Sequence, residues 1–98
     1  MNNTEKLFIL GNNLIEAKAR YYRALYSFEN AISITDISIR KEHKLCSTVR
    51  MTETEIRSEA MDYTRNERNE LKLSQIALAK AEISYEMEKL RLQCEVKS

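Results

Sequence analysis

The stretch from Leu71 to Cys94 carries two apolar stripes where a surface helix needs one. At helical spacing, Leu73, Ile76, Ile83, Met87, Leu90 and Cys94 form the first, interrupted only by Lys80. Leu71, Leu78, Ala81, Tyr85, Leu92 and Val96 form the second, on a different face. A surface helix of a globular domain buries one such stripe against the core. Two stripes need cover from two sides, and a single partner helix supplies only one. A third helix or a second subunit is therefore implied.

The N-terminal half is two-sided as well. Leu14, Tyr21, Leu25, Phe28, Ile32, Ile39 and Cys46 recur at intervals of three, four or seven, close to a heptad seam. A second face carries Ile15, Ala19, Tyr22 and Tyr26. Beyond Ile32 that face loses its large residues apart from Ile37.

Composition narrows the fold class. The chain has 98 residues, no Pro and one Gly. Strand proteins need turn residues every ~8–12 positions, so the chain is expected to be all-α. At this length it reads as one small domain, 1–98, whose two or three helices give a thin core, and oligomerisation is a common remedy. Charged residues make up 32% and the formal net charge is +1. Bulk electrostatics therefore mark neither a nucleic-acid binder nor an anionic-membrane binder. No apolar run approaches the ~18–20 residues of a membrane span. The N-terminal apolar run is too short, and its flank too acidic, for a secretory signal. Cys46 and Cys94 form neither a disulfide framework nor a zinc spacing, which points to a reducing cytoplasm.

In chain order, residues 1–12 are expected to form an N-terminal arm or short helix. Asn2 or Asn3 can cap it, with Glu5 in the first turn. Leu7-Phe8-Ile9-Leu10 has no solvated face and must dock on something, in cis or on a neighbouring subunit. Gly11-Asn12-Asn13 is the strongest breaker signal, and Asn13 with Glu16 has capping-box spacing. A long helix is thus expected over 13–48. Alternatively one helix runs straight through Gly11, at ~1 kcal/mol relative to Ala. Ile32 to Ile39 is β-branched and Ser/Thr-rich, so a kink is expected near 33–36. A turn near Val49–Thr52 leads to a capping box, Thr52 with Glu55, and a second long helix over 53–96. In its first half Ile56, Ala60 and Tyr63 are expected inward. The two long helices can lie antiparallel, a coiled-coil-like helical hairpin. Assembly into an oligomeric bundle through the terminal halves would cover the surplus apolar faces. Ile15, Tyr22, Leu73, Ile76, Ile83, Met87 and Leu90 are the expected oligomer interface.

Several residues suggest chemistry, and each has a plainer explanation. Arg20, Tyr22, Arg23 and Tyr26 could stack on and neutralise a small anionic ligand such as a nucleotide. Tyr and Arg are also enriched at protein interfaces, where Arg stems snorkel at the rim. His43 and Cys46 could form a nucleophile pair, but a helix offers no loop for an oxyanion hole. As metal ligands they lack companions. Cys46 and Cys94 would be tens of Å apart in the hairpin at ~1.5 Å per helical residue, so both are expected to be buried as small apolar residues. Lys80 can snorkel or pair with a carboxylate across an interface, setting register. No Gly-rich phosphate loop and no Ser/His/Asp set is present.

The expectation is a non-enzymatic protein–protein interaction module without cofactor or metal: a small adaptor, chaperone or inhibitor. It would act in the cytoplasm by helix–helix binding to itself and to a larger protein. Abundant Ile, Asn, Lys and Glu hint at an AT-rich bacterial or phage source, and an inhibitor of a host defence system would suit the size. The alternative is an oligomeric binder of a small anionic ligand, held in Arg/Tyr pockets between subunits. Nucleic acid would require a segregated basic face that the sequence lacks.

Overall fold

The computed structural model describes residues 2–46 and 51–97. These form three helices, α1 (Asn3–Cys46), α2 (Glu53–Tyr63) and α3 (Arg65–Lys97). No strand occurs among them. The turn expected near Val49–Thr52 falls largely outside the described residues, as do the side chains of His43 and Cys46.

The start of α1 follows from its cap. Asn2 Oδ1 accepts a hydrogen bond from the backbone N–H of Glu5 at 2.8 Å, which satisfies one of the free donors of the first turn. The helix does not stop at Gly11. It continues as one α-helix to Cys46, so the expected arm over 1–12 is instead its first three turns. Gly11 has no positive φ and sits opposite Tyr85, whose Cε2 would lie 3.5 Å from an added Cβ. Neighbouring turns on both sides hold the glycine in the helical conformation, and its ~1 kcal/mol propensity cost is spread over a long cooperative element. Residues 33–36 are also α-helical throughout. Asp36 there accepts from Arg40 one turn on, and Ile39 buries its side chain. Tertiary burial outweighs the weak propensity of the β-branched run.

The second long helix does break, at a residue the sequence did not mark. Thr52 caps α2 as expected, its Oγ1 accepting from the N–H of Glu55 at 3.1 Å. Thr64 then separates α2 from α3, with φ −104° and ψ 24°. Its hydroxyl donates to the carbonyl of Ala60 at 2.8 Å. Such back-bonding competes with the backbone ladder and distorts helices. Thr64 is buried at 1% exposure, whereas Tyr63, expected inward, is 70% exposed. The break hands the inward position from Tyr63 to Thr64, whose small hydroxyl is satisfied locally.

The chain divides into two compact units. The terminal unit is Met1–Arg23 with Lys72–Ser98, and the central unit is Ala24–Leu71. Within the central unit Ile39, Ile56 and Ala60 form a buried apolar cluster, with Met51 packed against it. Arg40 clasps Glu53 through both guanidinium ends while its Nε donates to Asp36. These contacts make α1 and α2 antiparallel there. Within the terminal unit Asn3 reaches Glu95, Lys6 reaches Glu88 and Gly11 faces Tyr85. The paired numbers rise on one side as they fall on the other, so these two segments are antiparallel as well.

Candidate functional site

The terminal unit is a pair of helical segments with a thin seam and apolar outer faces. On α1 Leu7, Leu10, Leu14, Ala17 and Tyr21, and on α3 Leu78, Ala81, Tyr85 and Leu92, are half-buried and mark the seam. Of the four-residue apolar run, Leu7 and Leu10 are half-buried, while Phe8 and Ile9 stay exposed. The fully buried described residues of this unit are polar: Ser74 at 0% exposure and Glu88 at 5%.

Glu88 is the centre of a polar network that the sequence reading missed. Arg91 Nε donates to its Oε2 at 3.1 Å, Arg91 Nη2 to its Oε1, and the Lys6 ammonium lies 3.5 Å away. Arg91 also reaches Glu95 and, at 2.9 Å, Asn3 Oδ1. A buried carboxylate is tolerated only when paired and hydrogen-bonded. The hydrogen bond from Arg91 holds the Glu88 carboxyl below the ordinary carboxylate range, against the upward pull of burial. The available signal was positional: Glu88 sits three residues after Tyr85 and four before Leu92 on the inward stripe, with Arg91 at i+3. In the central unit, Glu53 is likewise held low by its hydrogen bond from Arg40, but at an exposed site.

All seven residues expected at an oligomer interface lie in the terminal unit and are exposed. Ile15, Tyr22, Met87 and Ile83 have the outer half or more of their surface open, and so do Leu73, Ile76 and Leu90. On α3 this row falls on the side nearly opposite the seam, because at ~100° per residue Leu73 and Ile76 point away from Leu78 and Ala81. On α1, Phe8, Ile15 and Tyr22 form a similar outward row at heptad spacing. Lys80 stands exposed in the middle of the α3 row.

Of the four residues considered for an anionic ligand, Arg20, Tyr22 and Arg23 belong to the terminal unit and Tyr26 to the central one. Arg20 is half-buried and engaged in an interaction of its own. Tyr22 is exposed and stacks obliquely on Tyr21, ring centroids 5.5 Å apart. Arg23 is exposed. Tyr26, in the central unit, lines an open groove of about 400 Å³ with Tyr63, Asn30 and Glu67. The charged residue lining that groove is a carboxylate, which disfavours an anion there. A second groove of the central unit, about 450 Å³, is lined by Ile32, Asp36, Glu53 and Arg57 among others.

Cys94 is an exposed free thiol, not the buried small residue expected. It continues the outward row, where the single chain offers no cover. Among the described residues no cluster of three or more His, Cys, Asp or Glu is placed to hold a metal ion. Among them, too, no helix is long and apolar enough to cross a membrane. Comparison with protein-family models, with curated proteins and with solved structures found no match.

Proposed function

We propose that this chain is a non-enzymatic interaction module that works by laying its helices against those of other proteins. It would assemble with itself in a helical bundle and bind a larger protein as an adaptor, chaperone or inhibitor. The observation that carries this reading is the pair of outward apolar rows on the terminal unit, over a seam whose most buried residues are Ser74 and Glu88. Contiguous exposed apolar surface on a small soluble chain marks an interaction site. Helix-in-groove recognition uses anchors at this spacing. The Ile-, Asn-, Lys- and Glu-rich composition fits a bacterial or phage protein acting in the cytoplasm, and a phage inhibitor of a host defence system is one such role.

The test is capture of the partner by in-cell cross-linking in a native bacterial host, followed by binding of the purified pair. Ile15→Glu and Tyr22→Glu are expected to weaken that binding by roughly 30-fold or more, the loss of a hot-spot residue. Unchanged binding by both variants, and by Leu73→Glu with Leu90→Glu, would overturn the reading. The competing class is a binder of small anionic ligands through Arg20, Tyr22, Arg23 and Tyr26. It predicts a rise in Tm with nucleotide that follows RT ln(1 + [L]/Kd). The interaction module predicts none.

A further inference from the structure

The outward row of α3 is symmetric about its own centre. Its members Leu73, Ile76, Lys80, Ile83, Met87 and Leu90 are spaced alternately three and four apart. Turned end for end about a point between Ala81 and Glu82, the row maps onto itself. Leu73 falls on Leu90, Ile76 on Met87, and Lys80 on Ile83. We propose that α3 pairs with α3 of a second copy of this chain, antiparallel, about a twofold axis at that point. This rests on the interaction-module reading and names the occupant of one of its two apolar faces.

Charge sets the direction. In a parallel, in-register pair the row would place Lys80 against Lys80 of the second copy, a like-charge contact inside an apolar strip. In the antiparallel pair the Lys80 stem lies along the second copy's Ile83, and its ammonium comes within reach of the second copy's Glu86. Glu86 is available for this. Its side chain is 61% exposed, and its contact with Lys89 is a loose i,i+3 pair at 3.8 Å. Beside the axis, Ala77 would lie opposite the second copy's Ser84, and Ala79 opposite its Glu86. Small side chains at these flanks let two helices approach closely. The twofold relation repeats each Lys80–Glu86 contact, so one charge pair in the sequence supplies two in the dimer.

The experiment is a solution mass by light scattering on the full chain over a range of concentrations. The wild type is expected to be a dimer. Lys80→Glu and Glu86→Lys should each raise its dissociation constant roughly tenfold or more, because each sets like charges together at both ends of the contact. The double variant, with the charges exchanged, should recover the dimer. Both side chains are exposed, so circular dichroism should show unchanged helix content in all three. In a Cys46→Ala background, mild oxidation should not link the two copies. The antiparallel pair holds the two Cys94 thiols on the order of 35–40 Å apart at 1.5 Å per residue, whereas a parallel pair brings them together. A wild-type monomer, a dimer indifferent to both charge changes, or a disulfide-linked Cys94 dimer would each overturn the proposal. The interaction-module reading would survive any of these if Ile15→Glu still abolished binding of the captured partner. It would fail separately, with this dimer intact, if that binding did not depend on either outward row.

Discussion

The two units differ in whether they bury an apolar cluster. The central unit hides Ala24 and an apolar cluster of Ile39, Ile56 and Ala60, together with Thr64, while Tyr26, Ile34, Ile37 and Tyr63 stay exposed. The terminal unit hides Ser74 and Glu88, and turns Ile15, Tyr22, Leu73, Ile76, Ile83, Met87 and Leu90 outward. Both are antiparallel pairings of helical segments built from similar residues. What differs is where the large side chains fall relative to the seam. The Leu and Tyr side chains of the terminal seam are only half-buried, and at about 25 cal/mol per Å² they gain less than fully buried ones, so the stability of the terminal unit depends also on its polar network and on whatever covers its outer rows.

Truncation is the sharpest way to test that contrast. Ile56→Ala should cost about 2–4 kcal/mol whatever the protein concentration, the usual penalty for emptying a buried site. Ile76→Ala, on the outward row, should cost under about 0.5 kcal/mol in a dilute monomer. If the row is covered in an assembly, its cost should grow with concentration, because association stabilises by mass action. Urea melts at two concentrations read both. Equal, concentration-independent losses at the two positions would erase the distinction between the units.

The next largest effect concerns acid. The folded Glu88 carboxyl titrates below the ordinary value of 4.5 because Arg91 hydrogen-bonds its charged form. Its contribution is therefore fully present above that value and is lost as pH falls through the folded one. Tm should drop more steeply below about pH 4.5 in the wild type than in Glu88→Gln, which lacks the titrating group. Glu53 is shifted in the same direction, yet its side chain is 78% exposed. Solvent screens its pairing with Arg40, so Glu53→Gln should leave the acid limb nearly unchanged. A reversed order, with Glu53 dominating, would show that the buried network is not what holds the terminal unit together.

Two smaller effects probe the helix ends and the glycine. Thr52→Ala removes the acceptor for the Glu55 N–H and should cost about 1 kcal/mol, seen as a lower urea midpoint. Gly11→Ala should stabilise by about 0.5–1 kcal/mol, since the position is helical and the added methyl meets Tyr85 at ordinary contact distance. A destabilised Gly11→Ala would mean that Tyr85 cannot accept even this contact, and that the seam of the terminal unit is tighter than its half-buried residues suggest.

Much of this architecture is legible in the residues themselves. The absence of Pro, the single Gly and the helical spacing of apolar residues specify an all-helical chain, and the Asn2 and Thr52 caps follow from local hydrogen-bonding chemistry. The presence of two stripes between Leu71 and Cys94 is likewise a fact of sequence. Local signals fail where a long-range contact competes with them. Gly11 looks like a break, but the turns before it are tied to α3 through Asn3 and Lys6, and Gly11 itself faces Tyr85. Ile32 to Ile39 looks like weak helix, but it is helical throughout, with Ile39 buried against Ile56 and Ala60. Thr64 looks unremarkable, but once buried it needs a partner for its hydroxyl and takes the Ala60 carbonyl. Only the tertiary structure decides that the Leu78–Tyr85 stripe turns inward and the Leu73–Leu90 stripe outward. Both have the helical period, so periodicity cannot choose between them. The choice depends on which face buries Ser74 and brings Lys6, distant in the chain, to Glu88, whose other cation, Arg91, is local.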